Sequence, residues 1–331
     1  MALHAIDDLS DAYRATRSFL WPIEWGRWLR LALLSLFVAG AGGGGTPSAN
    51  AQMPFNGGPG TPGPTPGGEV PMDQFGTFLS QNLGILVLIG LVALLFGLVL
   101  QWIAATFEFA FLESLRTEEV HVRQYVREFQ GPGTRLFAFR VVFGLLTLLV
   151  VGGVLLLALG PMLAGIPSAA PILLFLFMIP VFLVLGIVGS VAYTFTTAFV
   201  APIMLMEDRG VISAWRRFWG VFKSAWTDFL VYILVGLFLM LAIGIVVGIA
   251  LAVVTIALAL PVVVTLIAAG PLAAAIVGLP MAILGLLAWG LLQVPVQTYL
   301  RHWALLVLGD VEPDLDLIPD RREAVRGETT E

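Results

Sequence analysis

The chain has 331 residues, 59% of them hydrophobic and 12% charged, with a formal net charge of −5 and no cysteine. That charge content is about half of what a soluble domain carries, and a soluble fold has too little interior for so much apolar surface. The acidic balance gives no reason to expect a nucleic-acid partner, and the lack of cysteine removes disulfides, thiolate metal sites, iron–sulfur ligation and cysteine nucleophiles.

All 17 Lys and Arg residues fall within 14–30, 116–140, 209–223 and 301–326, leaving 31–115, 141–208 and 224–300 free of positive charge. Basic loops kept on one side of a bilayer, with apolar tracts between them, mark a multi-pass helical membrane protein. If every cluster is cytoplasmic, each uncharged tract crosses an even number of times. A crossing needs about 20 residues, so 141–208 and 224–300 hold two crossings each, and so does 31–115. The expected fold is all-α, a bundle of six spans in the cell membrane with both termini cytoplasmic.

The spans are placed at 27–45, 79–112, 141–160, 171–204, 228–258 and 273–306. The first follows an amphipathic segment with Ile6, Leu9, Tyr13, Thr16 and Leu20 on one face and Asp7, Asp11, Arg14 and Ser18 on the other. Leu31 to Ala41 with Ala49-Asn50-Ala51 also resembles a signal-peptide core and cleavage pattern, but a long acidic leader is unlike a short basic n-region. Residues 42–78, uncharged from Gly42 to Gly68 and rich in Gly, Pro, Thr and Asn, read as a disordered outer loop.

A second amphipathic segment carries Val122, Tyr125, Val126 and Phe129, and ends at Gly131-Pro132-Gly133. Spans three and four are joined by a turn from Gly160-Pro161 to Pro171. The third amphipathic segment aligns Val211, Trp215, Phe218, Phe222, Trp226 and Phe229 opposite Ser213, Arg216, Arg217, Ser224 and Thr227. Aromatic anchors beside a basic face suit helices lying in the membrane interface. Trp215, Arg216, Arg217, Trp219 and Trp226 are the anchors, and Trp21, Trp25, Trp28 and Trp303 extend the belt. Pro261, Pro271 and Pro280 interrupt the last apolar tract, which blurs the fifth and sixth spans.

The order of interfacial helix, span, outer turn and span therefore occurs three times, at about 1–112, 113–206 and 207–310. It forms a pseudo-threefold repeat in a membrane domain over 1–310, followed by an acidic cytoplasmic tail, 311–331. Ionisable groups inside a membrane are costly and often functional, and few are present. Glu108 either pairs with Arg301 or Arg140 near the inner leaflet, or snorkels to the interface, or stays neutral. Gln101, Gln293, Gln297, Tyr193, Thr194 and Thr197 supply groups for helix–helix hydrogen bonds, and Gly244 and Gly248 permit close helix approach.

No catalytic constellation is present. His4, His121 and His302 lack ligand spacing, and there is no H-E-x-x-H, Walker A or G-x-S-x-G sequence. Asp310, Glu312, Asp314 and Asp316 lack the EF-hand spacing and read as a solvated terminus. No cofactor or metal is expected.

Pro202-Ile-Met-Leu-Met-Glu207, Ala214-Trp-Arg216-Arg217-Phe-Trp219 and Trp226-Thr-Asp-Phe229 resemble poorly characterised multi-span proteins related to the membrane domain of glycerophosphodiester phosphodiesterases. Archaeal domain-of-unknown-function proteins share that layout. The catalytic barrel of those enzymes has no counterpart in this sequence, so the resemblance implies a membrane module without phosphodiesterase activity. The expected role is a non-enzymatic scaffold, partner subunit or envelope-organising factor, with the bilayer and a membrane protein or second copy as partners. The alternative is a transporter or permease-like module for a small or amphiphilic solute.

Overall fold

The computed structural model describes residues 4–39, 72–163 and 170–327. Every regular element among them is helical. The cleavage-like pattern at Ala49–Ala51, most of the outer loop and the middle of the turn after Gly160 lie outside the described residues. Helix begins at Met72, so the last residues assigned to that loop are helical.

Helix α1, His4–Leu20, has Asp7 in its first turn and Arg17 in its last, the charge order that the helix dipole favours. It ends just before Trp21-Pro22, as the residue preceding a proline avoids helical geometry. Helix α2 covers Trp25–Phe37 and α3 covers Met72–Thr117. A short α4, Val122–Glu128, precedes α5, Gln130–Leu163. Helix α6, Ala170–Phe195, runs through a π turn at Thr196–Val200 into α7, Ala201–Glu207.

Asp208 takes a left-handed φ of 44°, a conformation that a short polar side chain tolerates. The chain then starts α8, Val211–Ser224. Helix α9 covers Trp226–Val311, and a 3-10 turn at Pro313–Leu315 leads to α10, Pro319–Gly327.

Helix α9 is two limbs. Gly270 has φ 84°, which glycine alone adopts without steric cost. The chain reverses there, bringing Gly236 against Trp303, Leu258 against Gly285 and Val262 against Gly278. Pro261, Pro271, Pro280 and Pro295 all stay within helix. Glycine, rather than the prolines, sets the boundary.

Four described helical stretches are long and apolar enough to cross a membrane: Gln81–Thr117, Gln130–Leu156, Leu176–Glu207 and Trp226–Val311. At about 1.5 Å per residue, the 46 residues of α3 reach about 69 Å, more than twice the roughly 30 Å of hydrocarbon. Side-chain exposure divides the helices in two. Leu88, Ile89, Leu91 and Val92 of α3 are 60, 59, 51 and 58% exposed, although consecutive residues point in different directions. Leu145 to Leu149 on α5, Leu183 to Val188 on α6 and Leu241 to Leu287 on α9 repeat this pattern. Below this apolar belt lies a packed base built from Ala104 to Leu115, Phe195 to Met204, Trp303 to Leu308 and parts of α1, α2, α4, α8 and the tail.

Close backbone approaches hold the base. A side chain at Gly133 would strike Thr106, and one at Gly290 would meet the Ala32 carbonyl. Gly244 and Gly248 have open space around them, so that glycine pair makes no close approach within the chain.

Three sequence expectations change here. On α1, Ile6 and Tyr13 of the predicted apolar face point outward, whereas Thr16 and Leu20 of that face are buried together with Ala5, Asp8, Ala12, Ala15 and Phe19. Small residues bring α1 closest to α9, and this outweighs the larger apolar area of the other face. On α8, Phe218 is fully buried and the stripe, apart from Trp226, packs on protein. The tail is folded rather than solvated, with Leu315, Leu317, Ile318 and Val325 buried.

Candidate functional site

The strongest candidate is the set of ionisable groups where the base meets the belt. Glu108 is 0% exposed, and its carboxylate is shared by two guanidinium groups. Arg140 donates from Nη2 to Oε2 at 3.2 Å, and Arg301 donates from Nη2 to Oε1. The three residues stand on α3, α5 and the second limb of α9, so one carboxylate ties together helices far apart in sequence. The Arg140 guanidinium also lies 5.2 Å from the centre of the Tyr193 ring on α6, within cation–π range.

Arg301 makes another contact whose origin is local. Its Nη1 donates to the Thr197 carbonyl. In the π turn, the Ala201 N–H bonds back to the Thr196 carbonyl, and Pro202 has no N–H to offer Thr197. Pro202 therefore leaves one buried carbonyl without a backbone donor, and the guanidinium takes it. The Thr196 and Thr197 hydroxyls bond to carbonyls one turn earlier, Ala192 at 2.7 Å and Tyr193 at 3.1 Å. A single π turn of this kind often marks a functional position.

The hydrogen bonding is incomplete. Nε and Nη1 of Arg140 are buried without a hydrogen-bond partner. Two guanidinium groups against one carboxylate leave an excess positive charge in a region that water barely reaches.

The aromatic-basic residues divide by role. Trp219 and Trp226 are exposed, Trp219 stacks on Phe222 at 5.2 Å, and Lys223 Nζ lies 5.8 Å from the Trp219 ring. Arg216 is exposed on the same side. Arg217 turns inward, with Nη2 3.0 Å from Glu312 and Nε 3.8 Å from Glu207. Trp215 is half-buried with its ring edge against Phe218 at 5.6 Å. Trp303 is buried, stacks on Tyr232 at 4.2 Å and donates from Nε1 to the Ala5 carbonyl, so it is a core residue.

A second polar cluster joins the termini, and sequence reading missed it. Arg326 of α10 reaches Asp8 and Asp11 of α1 at 2.9 and 3.2 Å and Asp310 at 2.6 Å. Arg322 meets Asp310 and Asp316, each at 3.2 Å. Burial, reinforced by the Asp310 carboxylate, pushes the Asp8 carboxyl up to about 7, while Arg326 pulls it down. Asp8 Oδ2 has no hydrogen-bond partner. The signal was an acidic residue on the small-residue face of α1. Beside this cluster, Arg116, Leu205, Met206, Leu317 and Arg321 line an open crevice of about 540 Å³. Among the described residues, no group of three or more His, Asp or Glu is arranged to hold a metal ion.

No curated protein and no solved structure matches the chain. A family model matches residues 3–318, nearly the whole length, which spans both the belt and the base with its ionic cluster. The chain belongs to DUF7544, a family of unknown function.

Proposed function

We propose that this is a six-span integral membrane protein with both termini in the cytoplasm, acting as a non-enzymatic scaffold, partner subunit or envelope-organising factor. The first span starts in α2, the next three are the long stretches of α3, α5 and α6, and the limbs of α9 make the last two. The basic clusters beside α1, α4 and α8 lie at the base, in keeping with a positive-inside arrangement repeated three times. The observation that carries the scaffold reading is the belt. Its helices present apolar side chains on every side, leaving wide surfaces for lateral contact, whereas the ionisable groups are gathered in the base. The resemblance to the membrane domain of phosphodiesterases fits a module whose chemistry comes from a partner.

The chain lacks cysteine, so single introduced cysteines can carry a photo-crosslinker without background. Leu88→Cys, Leu149→Cys, Leu183→Cys and Val246→Cys sample the belt. Crosslinks of defined mass to a second copy or another membrane protein are expected. Lipid adducts alone at all four positions would defeat the scaffold role. Arg123→Cys and Arg216→Cys test sidedness, and labelling of either by an impermeant reagent outside intact cells would defeat the six-span topology. A transport role draws on the ionic cluster between spans, and solute flux in proteoliposomes that disappears in Glu108→Gln would favour it.

A further inference from the structure

We infer that the Glu108 cluster is a site for a phosphate group, presented by an anionic lipid of the cytoplasmic leaflet. The inference rests on the membrane topology proposed above but not on the scaffold role. Its first support is charge. Arg140 and Arg301 bring two positive charges to the single negative charge of Glu108, and the Tyr193 phenol beside them is neutral. An unbalanced guanidinium out of water is costly, and such residues in membranes are found beside a counter-charge.

The second support is the hydrogen-bond count. Arg140 is 5% exposed, yet Nε and Nη1 have no acceptor. With Nη2 engaged by Glu108, Nε and Nη1 keep unused N–H donors on opposite sides of the guanidinium, and a charge-assisted bond to a phosphate oxygen would satisfy either of them. The third support is position. Arg140 directly precedes the belt of α5, where Val142, Leu145 and Leu146 are exposed. Tyr193, under the guanidinium, and Gln101, which hydrogen-bonds Tyr193, are only half-buried. A headgroup can enter past these two side chains, and its acyl chains then lie along the apolar faces of α3, α5 and α6. A free anion would gain nothing from those faces, so the lipid is the better source of the phosphate.

The test uses the full chain purified in detergent, with melting temperature and native mass spectrometry as readouts. The ligands added are phosphatidylglycerol, phosphatidylcholine and inorganic phosphate. Phosphatidylglycerol should bind and raise the melting temperature more than phosphatidylcholine. Arg140→Gln leaves a neutral Glu108–Arg301 pair and should weaken phosphatidylglycerol binding about tenfold, equivalent to about 1.4 kcal/mol. Glu108→Gln adds to the excess positive charge and should enlarge the lipid-induced shift beyond that of the wild type. This opposite sign separates a ligand site from a structural ion pair, where both substitutions would weaken binding alike.

If Arg140→Gln does not fold, Arg140→Lys keeps the charge and loses the Nε and Nη1 donors, and should bind severalfold more weakly. Unchanged lipid preference in the Arg140 variants, or a smaller shift in Glu108→Gln, overturns the site. An equal shift from inorganic phosphate keeps the phosphate chemistry and overturns the lipid as its source. Each readout is independent of crosslinking to a protein partner, so this inference and the scaffold role fail separately.

Discussion

Replacing Glu108 probes the base most directly. Its carboxylate is fully buried between Arg140 and Arg301, whose side chains are 2 and 7% exposed. Glu108→Gln removes the only negative charge from two buried guanidinium groups. Breaking a buried pair in this way costs about 3–5 kcal/mol, because the remaining charge stays desolvated. Replacing a whole buried ionic set by apolar residues of similar volume is often neutral or better. The triple variant Glu108→Met, Arg140→Met, Arg301→Met should therefore be more stable than Glu108→Gln. It still loses the donor to the Thr197 carbonyl, at a cost of about 1–3 kcal/mol. Unfolding of the purified protein by denaturing detergent, followed by the fluorescence of its 9 Trp, provides the comparison. A loss below about 1 kcal/mol in Glu108→Gln, or a triple variant worse than the single one, would refute this account.

Asp8 gives a pH dependence of definite sign. With a folded value of about 7 against an ordinary 3.8, the folded chain holds a proton that the unfolded chain releases. Its contribution to stability therefore falls as pH rises through that window and levels off above about 7. Asp8→Asn should flatten this slope, at most about 1.4 kcal/mol per pH unit, and should melt higher than the wild type at pH 8. Melting temperatures from pH 5 to 8 check it. Gly133→Val should cost about 1–3 kcal/mol by forcing α5 from Thr106, read as a lower denaturation midpoint. Phe218→Ala should cost about 3–5 kcal/mol, because Phe195, Phe199, Phe222 and Phe229 surround that ring. The same denaturation assay reports it.

Much of this architecture is legible because apolar tracts and basic clusters are coarse signals. Glu108, Arg140 and Arg301 could be picked from the sequence as ionisable residues in apolar surroundings, but not their geometry, in which the π turn supplies the Thr197 carbonyl to Arg301. That turn lies just before Pro202, and no periodicity in the sequence records it. The reversal at Gly270 was hidden among four prolines that the helix accommodates. The inward face of α1 adds Ala5, Asp8, Ala12 and Ala15 to Thr16 and Leu20, and a count of apolar positions does not single out such small residues. The tail looked solvated from its acids alone. Arg321, Arg322 and Arg326, with Leu315, Leu317 and Ile318, turn it into a folded cap.

The division into base and belt makes opposite demands on the same residue type, and Leu88 and Leu112 isolate it within one helix. Leu112 is fully buried, whereas Leu88 is 60% exposed. Leu112→Ala removes packed contacts and should cost about 2–5 kcal/mol. Leu88→Ala touches little within the chain and should stay within about 0.5 kcal/mol. If the belt serves lateral assembly, the order reverses when the readout is crosslinking in a bilayer. There Leu88→Ala weakens contact with the partner, while any folded Leu112→Ala protein retains it. Equal stability losses at the two positions would mean that the helices pack together along their whole length, leaving no free belt for a partner to occupy.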